Sequence, residues 1–317
     1  MPELGFAFSS EDHPPHELVR QARAAEEAGF SFGLISDHFH PWVDAQGHSP
    51  FVWSVIGGIA QVTERFRLGT GVTCPLIRIH PAIVAQAAAT CACMLPGRFF
   101  LGVGTGENLN EHILGDRWPL PDERLDMLEE AIDVMRLLWQ GGEQTHRGKH
   151  YTVDHARLYT LPDEPPPVYV AAAKPNAAQL AGRLGDGLVS TSPDAEVVKE
   201  FEGAGGKGKE KIGMMHVAYD RDAKAALKRA HEEWPNTALQ GSLSQELATP
   251  SDFEAAAPMV REEDVAEQTP HGPDPGPYLE QIEKFGDAGF THVYIHHIGE
   301  NQDEFLEFAR RELFPKL

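Results

Sequence analysis

The feature that most constrains the fold is a repeated unit in which a helix-like segment ends at glycine and a short apolar strand follows. The unit occurs at residues 24–36, 180–190 and 285–296. Glycine after a helix takes the left-handed conformation that closes the helix, and an apolar run suits a strand covered on both faces. A chain built from such units is predicted to be an α/β protein with a parallel sheet.

The number of strands decides between an open sheet and a closed barrel. Helical periodicity fills most of the gaps between the apolar runs, as in residues 125–139. Eight strand–helix units in 317 residues predict an α/β fold of the (β/α)8 TIM barrel type. The predicted strands cover residues 3–8, 32–36, 67–72, 98–103, 167–171, 187–191, 211–219 and 291–297.

Two segments interrupt this alternation. Residues 142–166 lead into a run of three prolines at 165–167 and are predicted to form a small hairpin. Residues 235–273 are predicted to form a long excursion above the barrel. Insertions of this kind commonly serve as lids or binding loops. Because no linker divides the chain, we expect a single domain over residues 1–317.

Charge and composition restrict the expected partners. The chain has 48 acidic residues against 27 Lys and Arg, a net charge of −21, and no basic patch. Such a surplus repels phosphate backbones and anionic lipid, so neither nucleic acid nor a membrane is expected as a partner. The sequence begins without a secretory signal, and its three cysteines form no disulfide framework, which predicts a cytoplasmic protein.

Polar residues follow several predicted strands, at the end of a barrel where active sites lie. Asp37 and His38 follow the second strand, and Glu107 follows the fourth. An imidazole can accept an alcohol proton at neutral pH, and a nearby carboxylate can orient it. A single histidine at a strand end is more often structural, but the neighbouring carboxylate and aromatic residues favour an acid–base role here.

Two other interpretations use neighbouring residues. His38 and His40 form a His-x-His pair, which binds zinc in some barrel hydrolases, although the later strands end in residues 171–172 and 190–191 without further histidines. A metal-dependent hydrolase therefore stays as an alternative of a different class.

The glycines of residues 102–106 lack the spacing of a dinucleotide fingerprint, but they would let a flat ring lie against the backbone.

Motifs spread over nearly the whole chain resemble those of the luciferase-like barrel oxidoreductases, and within them the deazaflavin-dependent sugar-phosphate dehydrogenases. They include Ser-Asp-His-Phe at 36–39, Gly-His-Ser-Pro-Phe at 47–51, Gly-Thr-Gly-Glu at 104–107 and Leu-Asn-Glu at 109–111. The resemblance implies coenzyme F420 as cofactor. It also implies a dehydrogenase that transfers hydride between an alcohol or sugar carbon and C5 of the deazaflavin.

The resemblance further implies roles for individual residues. His38 would remove the substrate hydroxyl proton, Glu11 would orient His38, and Trp42 would pack against the substrate. Glu107 would protonate the reduced ring or stabilise its anion at N1. A non-prolyl cis peptide would lie at Gly71-Val72 and bulge against the ring. The implied cofactor-binding residues are Asp37, Gly71, Val72, Thr73, Gly106, Asn110, Ala171, Ala172, Ala173 and Lys174, and no metal ligand is implied.

The chain departs from this resemblance where the sugar phosphate would bind. The positions that hold basic residues in the sugar-phosphate enzymes fall near Asp194, Gln245 and Gln268. A phosphate requires charge-assisted donors, so an uncharged alcohol is expected to be the better substrate. Lys199 or Arg261 would have to supply the missing charge for the opposite result.

Two further alternatives share the barrel fold. One is an FMN-dependent monooxygenase, and the other is a cofactor-binding relative without activity. A deazaflavin lacks the ring nitrogen that supports oxygen chemistry, so it suits hydride transfer and not monooxygenation. The expected partners are a small-molecule alcohol or sugar and a second copy of the chain in a homodimer.

Overall fold

Eight parallel strands close into a barrel in the computed structural model, which describes residues 1–239 and 241–317. Each predicted strand is present to within two residues, which confirms the (β/α)8 barrel. The strands are β1 (Glu3–Phe8), β2 (Phe32–Ile35), β3 (Arg67–Thr70), β4 (Phe99–Val103), β5 (Gln144–Arg147), β6 (Thr152–Ala156), β7 (Val168–Ala171), β8 (Gly187–Ser190), β9 (Glu210–Val217) and β10 (His292–His297). The order of the strands around the barrel is β1, β10, β9, β8, β7, β4, β3 and β2.

Helices surround the barrel, and proline in the first turn begins several of them, including those that start at Pro15, Pro81, Pro121 and Pro175. In the described part of the chain, no helix is long and apolar enough to cross a membrane. The α-helices are α1 (Pro15–Ala28), α2 (Val52–Val62), α3 (Pro81–Met94), α4 (Asn108–Glu111), α5 (Pro121–Trp139), α6 (Pro175–Leu184), α7 (Ala195–Phe201), α8 (Ala223–Glu233), α9 (Leu243–Glu246), α10 (Pro250–Ala256), α11 (Glu262–Gln268), α12 (Gly276–Asp287) and α13 (Gln302–Phe308).

Glycine closes two of the three repeated units as predicted. Gly29 and Gly289 have φ of 111° and 97°, in the left-handed region. The third unit differs, because Gly185 ends α6 with φ −76°. A Cβ at Gly185 would lie 2.7 Å from the carbonyl oxygen of Ala181, so this glycine is required by close backbone approach and not by a left-handed turn.

Side chains alternate between the inside of the barrel and the layer under the helices. Phe6, Ile35 and Ile295 belong to the outer core, whereas Leu34 and Tyr294 pack inside the barrel. This alternation determines which residues at the carboxyl ends of the strands face inward. We call that end of the barrel the mouth.

The two insertions form separate structures. β5 and β6 pair as an antiparallel hairpin within residues 142–166. The segment 235–273, of which Gln240 lies outside the described residues, contains α9, α10 and α11. Phe253 of α10 packs edge-on against Trp42, with ring centroids 5.1 Å apart. The carbonyl oxygen of Glu246 accepts a hydrogen bond from Asn108 Nδ2 at 3.0 Å, so this insertion packs on loops of the mouth.

Candidate active site

A carboxylate–histidine pair lies at the mouth, where β1 and β2 end. His38 Nδ1 is 3.2 Å from Glu11 Oε1 and 3.3 Å from the carbonyl oxygen of His40. Both neighbours are acceptors, so we assign the proton of the neutral ring to Nδ1. Nε2 then carries a free lone pair and can accept a proton.

Glu11 is held by more than the histidine. Its side chain is 2% exposed, and Oε2 accepts hydrogen bonds from Ser36 Oγ at 2.6 Å and Ser9 Oγ at 3.0 Å. The two serines follow β1 and β2, which are neighbours in the barrel. Closure of these two strands therefore builds the socket that positions the carboxylate.

The indole ring of Trp42 covers one side of the His38 imidazole. The Trp42 and His38 rings meet edge to face with centroids 5.1 Å apart. The backbone N–H of Trp42 donates to Gln46 Oε1 at 2.8 Å, which fixes the loop after β2. Trp42 and Leu239 both pack against a small apolar cluster that contains Phe253 of the second insertion, so the wall beside His38 is apolar.

Asn110 connects Glu107 to the loop that carries His38. Asn110 Oδ1 accepts hydrogen bonds from the backbone N–H groups of Phe39 at 2.8 Å and His40 at 3.1 Å. Its Nδ2 group lies 3.4 Å from Glu107 Oε2. Glu107 is partly exposed and Asn110 is buried, so the structure gives Asn110 a positioning role in addition to the predicted cofactor contact.

The carboxylate of Asp37 is buried in a network that the sequence did not reveal. Asp37 Oδ1 is 2.9 Å from Arg78 Nη2, and Asp37 Oδ2 accepts a hydrogen bond from Thr73 Oγ1 at 2.8 Å. Arg78 also pairs with Glu111 at 3.3 Å. Burial raises the pKa of Glu111, and the neighbouring Arg78 offsets part of that rise. The sequence offered one signal for this network, which was the presence of the basic residue Arg78 in the loop after β3 of an otherwise acidic chain.

The loops after β3 and β4 pack closely at the mouth. The Gly71-Val72 peptide is cis, as predicted. A Cβ at Gly104 would lie 2.8 Å from Val72 Cγ2, and one at Gly106, where φ is +70°, would lie 2.6 Å from Cys74 Sγ. These glycines therefore allow the two loops to pack against each other. The approach of a cofactor ring was the explanation expected from the sequence, but contact between the loops already requires glycine at both positions.

The loop after β7 completes this side of the mouth. Ala171 is partly exposed, and the backbone N–H of buried Ala172 donates to the carbonyl oxygen of Val189 at 2.9 Å. Ala173 and Lys174 are exposed immediately before α6. The predicted cofactor-binding residues of this loop thus include two that solvent can reach.

The two histidines of the His-x-His pair do not converge. His40 Nδ1 lies 2.9 Å from the carbonyl oxygen of Leu109, whereas His38 Nδ1 faces Glu11. Over residues 1–239 and 241–317, no group of three or more His, Cys, Asp or Glu side chains is arranged to hold a metal ion.

The positions expected to hold phosphate in the sugar-phosphate enzymes carry no positive charge. Asp194 caps α7, where its Oδ1 accepts a hydrogen bond from the backbone N–H of Glu196 at 2.8 Å. Gln245 lies in α9, and Gln268 is exposed at the end of α11. Of the possible substitutes, Lys199 is exposed on α7 and Arg261 is paired with Asp264.

Comparisons with known proteins agree with the barrel fold. The family model described as luciferase-like monooxygenase matches residues 4–292. The chain is 38% identical to the F420-dependent glucose-6-phosphate dehydrogenase of Nocardia farcinica, over 99% of this chain and 98% of that protein. A solved F420-dependent secondary alcohol dehydrogenase, in complex with an F420–acetone adduct, matches with TM-score 0.91, 30% identity and 98% coverage of both chains.

A more distant structure shows the same fold. The F420-dependent tetrahydromethanopterin reductase from Methanopyrus kandleri matches with TM-score 0.80 and 21% identity over 99% of both chains. The closed parallel barrel and the relatives that match the whole chain define the class as a (β/α)8 barrel oxidoreductase. The chain belongs to the luciferase-like family, as its motifs predicted.

Replacing Arg78 with methionine should destabilise the protein. The change leaves the carboxylates of Asp37 and Glu111 buried without their cation, which typically costs about 3–5 kcal/mol. Urea unfolding should measure this loss. Arg20→Met is a matched control, because Arg20 also pairs with two carboxylates, Glu17 and Asp303, but its side chain is 47% exposed. The control should lose about 1 kcal/mol or less. Equal losses in the two variants would contradict the proposed importance of the buried network.

Proposed function

We propose that the protein is an F420-dependent dehydrogenase that interconverts an uncharged alcohol and its carbonyl product. The observation that carries the proposal is the buried Glu11–His38 pair, in which Nε2 of the histidine is free to exchange a proton at the mouth. Relatives that match the whole chain and carry F420-dependent dehydrogenase names support the choice of cofactor and reaction.

Close backbone packing at the mouth suits a flat cofactor. A Cβ at Gly71 would lie 2.8 Å from Leu34 Cβ on β2, and one at Gly104 would lie 2.8 Å from Val72 Cγ2, while Val72 itself is partly exposed. The exposed Ala173 and Lys174 lie on the loop after β7, where polar parts of a cofactor can be reached. We propose that these loops, with Thr73, hold coenzyme F420. When bound, the deazaflavin supplies a two-electron hydride acceptor.

The chain's own residues move the proton. His38 Nε2 takes the proton of the substrate hydroxyl, and the charge that develops on the ring is stabilised by Glu11 at 3.2 Å. Ser9 and Ser36 keep the carboxylate in place during this step. Trp42 excludes water from one side of the imidazole. We assign Glu107 to proton exchange with the cofactor ring, because it is partly exposed beside Asn110.

Electrostatics favour an uncharged substrate. The carboxylate of Asp194 and the amides of Gln245 and Gln268 occupy the positions where the resemblance requires cations. The net charge of −21 adds a long-range repulsion of phosphate esters. The apolar wall formed by Trp42 and Phe253 suits an alcohol with a small hydrocarbon part.

We also propose that residues 1–317 form one domain, because barrel closure pairs the first strand, β1, with the last, β10.

A cytoplasmic location and a homodimeric assembly stay predictions from composition and resemblance. The exposed Ile83 and Met94 on α3 are candidates for the dimer surface. Light scattering should give twice the chain mass of 34.9 kDa for a dimer.

The variant His38→Ala tests the proposed function. Loss of general-base transfer should lower alcohol-dependent F420 reduction by about 100-fold or more. Affinity for oxidised F420, followed by fluorescence, should stay close to wild type, and FMN should bind more weakly than F420. His40→Ala is a matched control from the same loop and should retain most of the activity. Unchanged turnover in His38→Ala, or tighter binding of FMN, would contradict the proposal.

The phosphate group should not improve a sugar substrate. Glucose and glucose 6-phosphate differ only in that group, so their kcat/KM values isolate its contribution. Each charge-assisted hydrogen bond to a phosphate contributes about 1.5–3 kcal/mol, and the expected positions lack such donors. We expect no gain for glucose 6-phosphate at low ionic strength. A kcat/KM for glucose 6-phosphate about 100-fold above that for glucose, which equals about 2.7 kcal/mol, would show that a cationic side chain binds the phosphate.

A further inference from the structure

A second carboxylate–histidine group lies beside the first. Asp12 follows Glu11 in the chain, and Asp12 Oδ2 is 3.4 Å from His296 Nε2. His296 Nδ1 is in turn 2.8 Å from His216 Nδ1. The proton transfer assigned above to Glu11 and His38 uses none of these three side chains.

The strand register places both histidines inside the barrel. His216 on β9 is paired with His296 on β10. Met214 and Tyr294, each two residues earlier, pack in the barrel interior. Because alternate residues of a strand share a face, His216 and His296 also point inward, one layer closer to the mouth. The strands β2, β1, β10 and β9 are successive neighbours in the barrel, so the residues at their ends form one continuous polar wall that includes His38.

The contacts of this wall determine the tautomers of the histidines. His296 Nε2 makes no hydrogen bond within the described residues, but it lies 3.4 Å from the carboxylate of Asp12, which accepts a hydrogen bond from Trp234 Nε1 at 3.0 Å. A negative carboxylate at this distance attracts an N–H and repels a lone pair. We therefore assign the proton of His296 to Nε2, which makes His296 Nδ1 an acceptor. His216 Nδ1 must then donate the 2.8 Å hydrogen bond. His216 Nε2 is left as an acceptor.

The open edge of His216 faces the mouth. His216 is a partly exposed residue, and its Nε2 has no hydrogen bond to any residue within 1–239 or 241–317. Burial, together with the neighbouring His296, lowers the pKa of His216 to about 3. The ring is therefore neutral at physiological pH, so it offers a hydrogen bond and not a positive charge.

We propose that His216 is a specificity-determining residue whose Nε2 accepts a hydrogen bond from a second, uncharged hydroxyl group of the substrate. The proposal rests on the function proposed above, and it narrows the substrate class to diols and other polyhydroxylated alcohols. The neutral Nε2 can accept a hydrogen bond from a hydroxyl group, whereas an ether oxygen in the same place has no hydrogen to donate. His38 acts on one hydroxyl, and His216 recognises the other.

Matched alcohols test the proposal. Propane-1,2-diol is compared with propan-2-ol and with 1-methoxypropan-2-ol, and butane-1,3-diol is compared with butan-2-ol. We expect the wild-type kcat/KM for at least one diol to exceed that of its monohydric partner by about fivefold, mainly through KM. This factor corresponds to about 1 kcal/mol, the typical net contribution of one hydrogen bond. The methyl ether should resemble propan-2-ol.

Variants on the same strand assign the effect to the imidazole. His216→Leu should lose the preference for the diol while keeping its rate with propan-2-ol, and His216→Gln should retain part of the preference. Met214→Leu, one layer below on β9, should keep the preference. Melting temperature and F420 affinity report whether each variant is folded.

A measurement without turnover adds a second readout. In protein labelled with ¹⁵N-histidine, propane-1,2-diol should shift the Nε2 resonance that is missing in His216→Gln, and propan-2-ol should not. The proposal is overturned if wild type oxidises propan-2-ol but prefers neither diol, if His216→Leu keeps the preference, or if the methyl ether matches the diol. Absence of any alcohol oxidation, together with a diol-specific shift, would instead reject the proposed reaction and leave this binding site supported.

Discussion

The arrangement of the mouth depends on the buried carboxylate of Glu11. Removing a carboxylate from water is costly unless hydrogen bonds and a partner replace the lost solvation. Glu11 obtains these from Ser9, Ser36 and His38, which the chain brings together only when β1 and β2 are paired. The contacts that satisfy the carboxylate also orient the histidine, so the imidazole that we propose as the base is positioned by the pairing of β1 with β2.

A second buried network supports the other side of the His38 loop. Arg78 bridges Asp37, which precedes His38, and Glu111, which belongs to α4. Asn110 of the same helix accepts from the backbone of Phe39 and His40. The loop is therefore held from the segment after β3 and from α4, while Glu11 holds the imidazole itself. The proposed role of His38 as a base requires such fixed positioning, so that the imidazole meets a substrate hydroxyl in a productive geometry.

Much of this arrangement could be predicted from the sequence because its signals are local. Apolar runs and helix-closing glycines predicted the eight barrel strands, and motifs predicted the cis peptide at Gly71-Val72. Contacts that depend on register could not be predicted. His216 and His296 are separated by 80 residues and meet only because β9 and β10 pair in one register. Gly185 could not be predicted for a different reason. A glycine that is required by close backbone approach cannot be distinguished, from the sequence alone, from a glycine that is required by a left-handed turn.

The central claim is that Glu11 fixes His38 in the tautomer with the proton on Nδ1, which leaves Nε2 as the base. Heteronuclear NMR of the protein labelled with ¹⁵N-histidine tests this most directly, with His38→Ala used to identify the resonances. The account predicts a protonated Nδ1 and an unprotonated Nε2 for His38 at neutral pH, and loss of that tautomer preference in Glu11→Ala. A proton on Nε2 in the wild-type protein would contradict it, because the ring would then have no lone pair facing the substrate.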